Sequence, residues 1–304
     1  MRRSRIIAGL GLAAAAMLAL TACNSGTPGA PEGGGSSASP EASGPWFTVA
    51  EDVSIDGSPT FDAIKERGSV KVGVKEDQPG LGYLDPTTGD RTGFDVDVAR
   101  WIAASLGYDE DKIEFQAIPS ANREQAIVNG DIDYYVGTYS ITDKRKEQIS
   151  FAGPYFVTGQ GLLVAADNDD IKGPEDLAGK NVCSATGSTS IQRIKTDYPE
   201  AKTTEFDTYS QCVEQLKTGQ VDAVTTDEAI LIGYAAQDPE ALKVVGDVFS
   251  EERYGVGIAK GDTALQEFIN TMFTDGGDIW QAIFDKNLGS AGVSGEQPAV
   301  DPVS

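Results

Sequence analysis

Residues 137–145 read GTYSITDKR and follow directly on the apolar run Ile132–Val136. A short apolar run that ends at glycine predicts a buried strand, and the polar residues after it predict the loop at the end of that strand. Open α/β sheets bind ligands at such strand ends. Thr138 and Ser140 supply hydroxyls, and the planar guanidinium of Arg145 can bind a carboxylate through two parallel hydrogen bonds. The stretch therefore predicts a carboxylate-binding loop, against the alternative that Arg145 is a solvated charge on a helix.

The N-terminus has the pattern of a secretory signal peptide. Three arginines in the first five residues precede the apolar stretch 6–20, which is too short for a membrane-spanning helix. The sequence LTAC that ends at Cys23 resembles a bacterial lipobox, which implies cleavage before Cys23 and lipid on its thiol; the alternative is an ordinary cleavage site. We therefore expect a signal peptide at 1–22 and attachment to the outer face of the cell membrane through the lipid alone.

The residues after the lipobox predict a tether. From residue 24 to about 44 the chain consists mainly of Gly, Ser, Pro and Ala, so it cannot bury enough apolar surface to fold. We expect a lipidated N-terminus and flexible linker over 23–58. No later apolar run is long enough to span a membrane.

Charge and composition restrict the possible partners. The net charge of −23 argues against nucleic acid and anionic lipid surfaces, because both attract basic proteins. The chain has no histidine and no closely spaced cysteine pair, so we expect no metal site. We also expect no cofactor and a monomeric protein. About 250 residues remain after the tether, which suits two lobes of ordinary domain size.

The three cysteines have two predicted roles: one carries lipid, and the other two form a disulfide. Exported proteins mature where disulfides persist, so we expect Cys183 and Cys212 to pair, with two buried free thiols as the alternative. Closing a loop of this length would stabilise the fold by about 3.5 kcal/mol in the chain-entropy model.

Residues 93–106, GFDVDVARWIAASL, predict an amphipathic helix with acids in its first turn and Gly107 as its stop. The same residues resemble, at every position, the signature of bacterial solute-binding proteins of the polar amino-acid class. The loop 138–145 resembles the ligand loop of that family. The resemblance extends over about residues 70–286, which is most of the mature chain.

The resemblance implies a two-lobed α/β fold of the periplasmic-binding-protein type (type II), with the ligand cleft between the lobes. The pattern of the residues agrees, because predicted strands alternate with helical stretches as parallel α/β sheets require; they lie near Val70, Ile113, Ile132, Asn181, Thr203 and Val221. We expect lobe 1 to comprise 59–157 and 255–304, and lobe 2 to comprise 160–252. Two extended crossings, 157–163 and 252–258, would form the hinge. We also expect a helix over 61–67 with Thr60 as its N-cap.

The family's ligand residues have counterparts in both lobes. In lobe 1, Arg145 corresponds to the arginine that holds the α-carboxylate, with Ser140 and Thr138 as helpers. In lobe 2, the residues before a predicted helix would offer main-chain amides to the same carboxylate, although one of them could simply be the N-cap; they are Thr186, Ser188 and Thr189. Asp227 corresponds to the acid that pairs with the α-ammonium, and its alternative is also an N-cap.

Two further stretches bear on the ligand's side chain. Binders of basic amino acids resemble one another in carrying an acid where this chain has Lys75, so the cation favours an acidic ligand. The stretch Ser120-Ala121-Asn122-Arg123 resembles a motif of aspartate and glutamate binders, in which the Ser and Arg hold the distal carboxylate. Residues 73–82 are similar to those of the glutamate importers. Lys75 or Arg123 would then hold the side-chain carboxylate.

The resemblance implies that the protein captures an amino acid and delivers it to the permease subunits of an ABC importer. Charge balance favours glutamate as that amino acid. Aspartate or glutamine is the next choice, and a basic amino acid would need Glu76 or Asp77 to turn inward. An enzyme is the alternative from another class, because secreted dehydratases and lyases resemble this fold. No paired-carboxylate or nucleophile-base spacing supports one. A receptor domain is a further alternative.

Overall fold

The computed structural model describes residues 46–303. The predicted signal peptide, Cys23 and the linker up to residue 45 lie outside the described residues. Within the described part, no helix is both long enough and apolar enough to cross a membrane.

The helices of the described chain are α1 (Pro59–Arg67), α2 (Phe94–Ser105), α3 (Arg123–Val128), α4 (Asp143–Lys146), α5 (Thr189–Asp197), α6 (Tyr209–Lys217), α7 (Glu228–Gln237), α8 (Thr263–Asp275) and α9 (Gly277–Asn287). Helices α1, α2 and α5 lie where the sequence predicts a helix. The predicted N-cap Thr60 is wrong: the Ser58 hydroxyl caps α1 by accepting a hydrogen bond from Phe61 N (3.1 Å). Helix α1 begins at Pro59 because proline has no N–H to leave unpaired at the first helical position.

The strands form two five-stranded sheets and one small sheet. They are β1 (Val70–Val74), β2 (Asp77–Gln78), β3 (Gly82–Leu84), β4 (Arg91–Thr92), β5 (Ile113–Ala117), β6 (Tyr134–Tyr135), β7 (Ser150–Thr158), β8 (Gln160–Ala165), β9 (Asn181–Ala185), β10 (Lys202–Phe206), β11 (Ala223–Asp227), β12 (Leu242–Val245) and β13 (Glu252–Ile258). The first sheet has the order β5-β1-β6-β13-β7 and the second has the order β10-β9-β11-β8-β12. We call the parts built on the first and second five-stranded sheets lobe 1 and lobe 2. The small sheet β2-β3-β4 belongs to lobe 1, because its strands β3 and β4 contact α2, which also contacts β1.

The predicted parallel pairing holds for only part of each sheet. Strands β5, β1 and β6 are parallel, as are β10, β9 and β11. In contrast, β13 runs antiparallel to β6 and β7, and β8 runs antiparallel to β11 and β12. The reason is that β7 and β8 are separated by one residue and enter different sheets, so the chain crosses between lobes without a helix. The expected lobe boundaries remain a prediction.

Two parts of the fold were not predicted from the sequence. The sheet of β2, β3 and β4 lies where only a turn was expected, because strands of two or three residues show no periodic pattern. In addition, residues 46–58 are packed rather than linker: Trp46 and Phe47 pack against the main hydrophobic core, and Ala50 N donates to Ala104 O (2.9 Å). The predicted linker therefore extends too far, since these apolar side chains have a surface to bury.

Lobe 2 contains the expected disulfide. Cys183 on β9 and Cys212 on α6 are bonded and fully buried. The bond links helix α6 to strand β9, close to the predicted ligand residues that follow β9.

Candidate functional site

The predicted ligand loop lies directly after β6 and is held by a buried carboxylate. Thr138 has a left-handed backbone, with φ of 46°, a conformation that costs a non-glycine residue about 1–3 kcal/mol. Its N–H donates to Asp95 Oδ2 (2.9 Å), and the Tyr155 hydroxyl donates to Asp95 Oδ1 (2.7 Å). Burial raises the pKa of Asp95 to about 6, although both hydrogen bonds oppose the shift. The first turn of α2 thus fixes the shape of the loop.

Arg145 lies on α4 and reaches both lobes. Its guanidinium donates to Ser140 O (2.7 Å) and Glu124 Oε1 (3.1 Å) in lobe 1, and to Gly187 O (3.1 Å) in lobe 2. An arginine side chain has five N–H donors. Three are engaged by these protein groups, so two remain that can bind a carboxylate.

Three other predicted residues meet at the end of β1. Lys75 Nζ donates to Ser120 Oγ (2.8 Å). Arg123 donates from Nε to Ser120 O (3.2 Å) and from Nη1 to the carbonyl oxygens of Gly137 (3.5 Å) and Thr138 (3.3 Å). Lys75, Ser120 and Arg123 are all buried. Arg123 therefore contacts the main chain of the ligand loop, whereas Lys75 extends beside it.

The cations at this end of the cleft lie close to one another. The Tyr139 ring centroid is 4.2 Å from Cζ of Arg123 and 4.9 Å from Cζ of Arg145, distances at which the ring face attracts a cation. Burial, and then the charge of Arg123, lower the pKa of Lys75 to about 7. Within residues 46–303, neither Lys75 nor Arg123 forms an ion pair. This region is consequently suited to an anionic group.

The predicted amides of lobe 2 are only partly available. Ser188 is the N-cap of α5, since its hydroxyl accepts from Ile191 N (3.1 Å). Its own N–H donates to Ala185 O (3.1 Å), and the N–H of Thr186 donates to Phe206 O (2.8 Å). The expectation that the Ser188 amide is free for a ligand is therefore wrong, because the turn after β9 uses it. The amide of Thr189 stands at the first position of α5, where helices leave N–H groups without an intrahelical acceptor.

Asp227 is the last residue of β11, and it is buried beside β13. The Tyr254 hydroxyl donates to Oδ2 (2.6 Å), whereas Oδ1 is buried and has no partner among the described residues. Asp227 occupies the N-cap position of α7 but makes no capping hydrogen bond. Burial, and then the charge of Glu252, raise the pKa of Asp227 to about 7. The capping alternative is excluded, and the carboxylate can accept a hydrogen bond from a cation.

A groove of about 590 Å³ runs between the lobes and brings several predicted residues together. It is lined on one side by Ser120, Glu124 and Arg145 and on the other by Gly187, Ser188 and Thr189. Lys75, Arg123, Thr138, Ser140 and Asp227 are more deeply buried. Among residues 46–303, no cluster of acids or cysteines could hold a metal ion.

Sequence reasoning missed two buried groups at the site. Gln78 on β2 accepts from Thr138 Oγ1 (3.2 Å) through Oε1, and its Nε2 is buried with no partner among the described residues. Glu252 on β13 accepts hydrogen bonds from Thr189 Oγ1 (3.0 Å) and Ser250 Oγ (2.9 Å). No sequence pattern could identify either residue. Each reaches the cleft because the chain reverses direction there, and such a reversal leaves no periodic signal in the sequence.

Comparisons with known proteins agree with this architecture. A model of the bacterial extracellular solute-binding proteins, family 3, matches residues 70–289. Glutamate-binding protein GluB of Corynebacterium efficiens is 43% identical over 248 residues, which cover 77% of this chain and 83% of that protein. The glutamine-binding protein of Geobacillus stearothermophilus is 43% identical over 205 residues, 67% of this chain and 78% of that protein.

The solved structure of an ancestral arginine-binding protein bound to glutamine superposes with a TM-score of 0.69 at 38% identity, covering 73% of this chain and 99% of that one. These relatives are named for the amino acids they bind and not for a reaction, in agreement with the expectation that the chain is not an enzyme. The two-lobed type II fold and the family resemblance are thus confirmed. The chain belongs to the bacterial extracellular solute-binding proteins, family 3.

Proposed function

We propose that the protein is the substrate-binding component of an ABC importer and that its ligand is L-glutamate. The lobes close on the amino acid and present it to the membrane permease. Two relatives that are 43% identical to the chain bear the names of glutamate- and glutamine-binding proteins, which supports an α-amino acid with a side chain of this length.

The ends of the cleft match the charges of an α-amino acid. The two remaining donors of Arg145, together with the Thr189 amide at the start of α5, bind the α-carboxylate. Asp227 Oδ1 accepts from the α-ammonium, which removes an unpaired buried acceptor. Ser188 lines the same groove as Arg145, and the carbonyl of Ser140 accepts from the Arg145 guanidinium (2.7 Å).

The observation that carries the choice of glutamate is the buried, unpaired cation Lys75. Its ammonium has three donors, of which one is used by Ser120 Oγ. A buried charge without a counter-ion is costly, and the side-chain carboxylate of glutamate would neutralise it. Arg123, whose donors point to main-chain carbonyls, then orients the loop and contributes long-range charge.

Glutamine is the second candidate, because a glutamine-binding relative is as similar as the glutamate-binding one. A basic ligand fits poorly. Glu76 is exposed and lies 3.4 Å from Arg91, and the Asp77 carboxylate bonds to main-chain amides of lobe 2. A basic ligand would need one of these carboxylates to point into the cleft beside Lys75. Both carboxylates are instead engaged elsewhere.

Isothermal titration with glutamate, aspartate, glutamine, asparagine, lysine and arginine tests the proposal. We expect glutamate to bind most tightly. Lys75→Met should weaken glutamate binding at least about tenfold, the scale of one charge-assisted hydrogen bond, and leave glutamine binding nearly unchanged. Lys112→Met, at an exposed site on lobe 1, is the matched control. Tightest binding of lysine or arginine would refute the choice of ligand.

We further propose that the chain is exported and held at the membrane by lipid on Cys23, as a monomer. The support is the sequence before residue 24 and the extracellular character of the family. Mass spectrometry of the membrane fraction should find diacylglycerol on Cys23, and Cys23→Ser should release the protein into the medium. Retention of that variant at the membrane would exclude the lipid anchor.

A further inference from the structure

The lobes meet at a second contact, separate from the one between Arg145 and Gly187. Asp77, on β2 of lobe 1, accepts hydrogen bonds through Oδ2 from the N–H groups of Tyr209 (2.8 Å) and Ser210 (3.1 Å) on lobe 2. The Tyr234 hydroxyl of α7 donates to the main-chain oxygen of Asp77 and lies 3.2 Å from Oδ2. All hydrogen bonds of the Asp77 carboxylate therefore go to the opposite lobe.

The contact completes the first turn of α6. Helices leave their first amides without intrahelical acceptors. Within lobe 2, the Thr208 hydroxyl accepts from Gln211 N as part of a capping box. Asp77 accepts from the amides of Tyr209 and Ser210, the two residues that precede Gln211. Its negative charge is favourable at a helix N-terminus. Separation of the lobes returns both amides to water.

Close approach of the main chains supports the same contact. Gly233 lies in the middle of α7, where glycine is unfavourable relative to alanine. A Cβ at this position would lie 2.3 Å from Pro79 O, next to β2. The helix therefore carries a glycine where lobe 1 comes closest to it.

We propose that Asp77 is a positioning residue that holds the lobes in the closed state without contacting the ligand. This inference rests on the proposed function, in which the lobes close on an amino acid. Loss of Asp77 favours the open state, and the affinity for every ligand falls by the same factor, since the fraction of closed protein enters each binding constant equally. The dissociation rate rises because the closed complex opens more readily.

The test measures glutamate and glutamine binding to the full chain and to Asp77→Ala by calorimetry and stopped flow. We expect dissociation constants that rise about tenfold to a hundredfold by the same factor for both ligands, with faster dissociation and an unchanged melting temperature without ligand. Hydrogen exchange at Tyr209 and Ser210 should slow when glutamate binds to the unmodified protein, and should not slow in the variant.

Glu76→Ala is the matched control, because it removes the neighbouring negative charge, is even closer to Lys75 in sequence than Asp77 is, and has its ion pair with Arg91 rather than with lobe 2. It should leave both affinities unchanged. Equal binding by Asp77→Ala and the unmodified protein would overturn the proposal. So would a loss restricted to glutamate, which would mean that Asp77 acts through the charge of Lys75. Failure of the unmodified protein to bind any of the six amino acids would instead refute the proposed function, and this result is seen before any variant is made.

Discussion

At the scale of single residues, the cleft holds two groups whose protonation changes near neutral pH. Burial lowers the pKa of Lys75 to about 7, so the ammonium is lost as the pH rises through this value. Burial and Glu252 raise the pKa of Asp227 to about 7, so the carboxylate is lost as the pH falls through it. The proposed complex requires both charged forms. Binding of glutamate should therefore take up a proton at Lys75 and release one at Asp227.

We predict that glutamate affinity is highest near pH 7 and falls on both sides, by at most about tenfold per pH unit for each group. Glutamine has no side-chain carboxylate, so its affinity should fall on the acidic side alone. Titrations between pH 5.5 and 8.5 in buffers of different ionisation enthalpy would measure both the affinities and the protons exchanged. A glutamate-to-glutamine affinity ratio that stays constant above pH 7 would contradict the assignment of Lys75 to the side-chain carboxylate.

The sequence predicts the chemistry of individual residues better than their exact contacts. Arg145, Ser120 and Lys75 could be predicted as candidate ligand residues because their charge or hydroxyl stands at a strand end or within a recognisable motif. The use of the Ser188 amide within its own turn could not be predicted, because it depends on the path of the main chain after β9. Gln78 was missed for a related reason: its place beside Thr138 requires the hairpin of β2 and β3.

At the scale of elements, 3.6-residue periodicity predicted helix α2, and apolar runs predicted the strands of the parallel part of each sheet. Strand β12 and the small sheet gave no such signal, since their few residues are stabilised by pairing with neighbours that are distant in sequence. Helix α7 shows how tertiary contact can override local preference. Gly233 weakens the helix, but it allows the Pro79 carbonyl to approach.

We predict that Gly233→Ala has opposite effects on stability and on binding. Alanine in a helix interior is favoured over glycine by about 1 kcal/mol, which should raise the melting temperature of the ligand-free protein by roughly 2–4 °C. The new Cβ would contact Pro79 O in the closed state, so affinity for glutamate and glutamine should fall. Calorimetry and thermal denaturation measure the two effects. The control is Ala236→Gly, at an exposed position of the same helix, which should lower stability and leave affinity unchanged. If Gly233→Ala leaves affinity unaltered, close approach of Pro79 O to α7 is not needed for closure of the lobes.

At the scale of the whole molecule, the C-terminal segment 293–303 holds the strands that connect the lobes. Asp301 N donates to Gly153 O on β7 (2.7 Å), and Arg253 on β13 donates to Asp301 Oδ1 (2.6 Å). Val293 and Val300 pack against the main hydrophobic core. The family model ends at residue 289, whereas the predicted lobe 1 extends to residue 304. The segment links β7 to β13, so we expect the proposed motion between the lobes to occur nearer to residue 159.

Removal of residues 293–304 should therefore destabilise lobe 1 without affecting closure. The lost apolar contacts and the Arg253–Asp301 pair together contribute roughly 2–4 kcal/mol, and the melting temperature should fall by roughly 5–15 °C. The increase in melting temperature on adding saturating glutamate should be the same as in the full chain, because the ligand groups and the Asp77 contact remain. Removal from Pro302 onward keeps Asp301 and serves as the control. A truncated protein that is stable but no longer stabilised by glutamate would mean that the segment takes part in closing the lobes, since its contacts would then differ between the open and closed states.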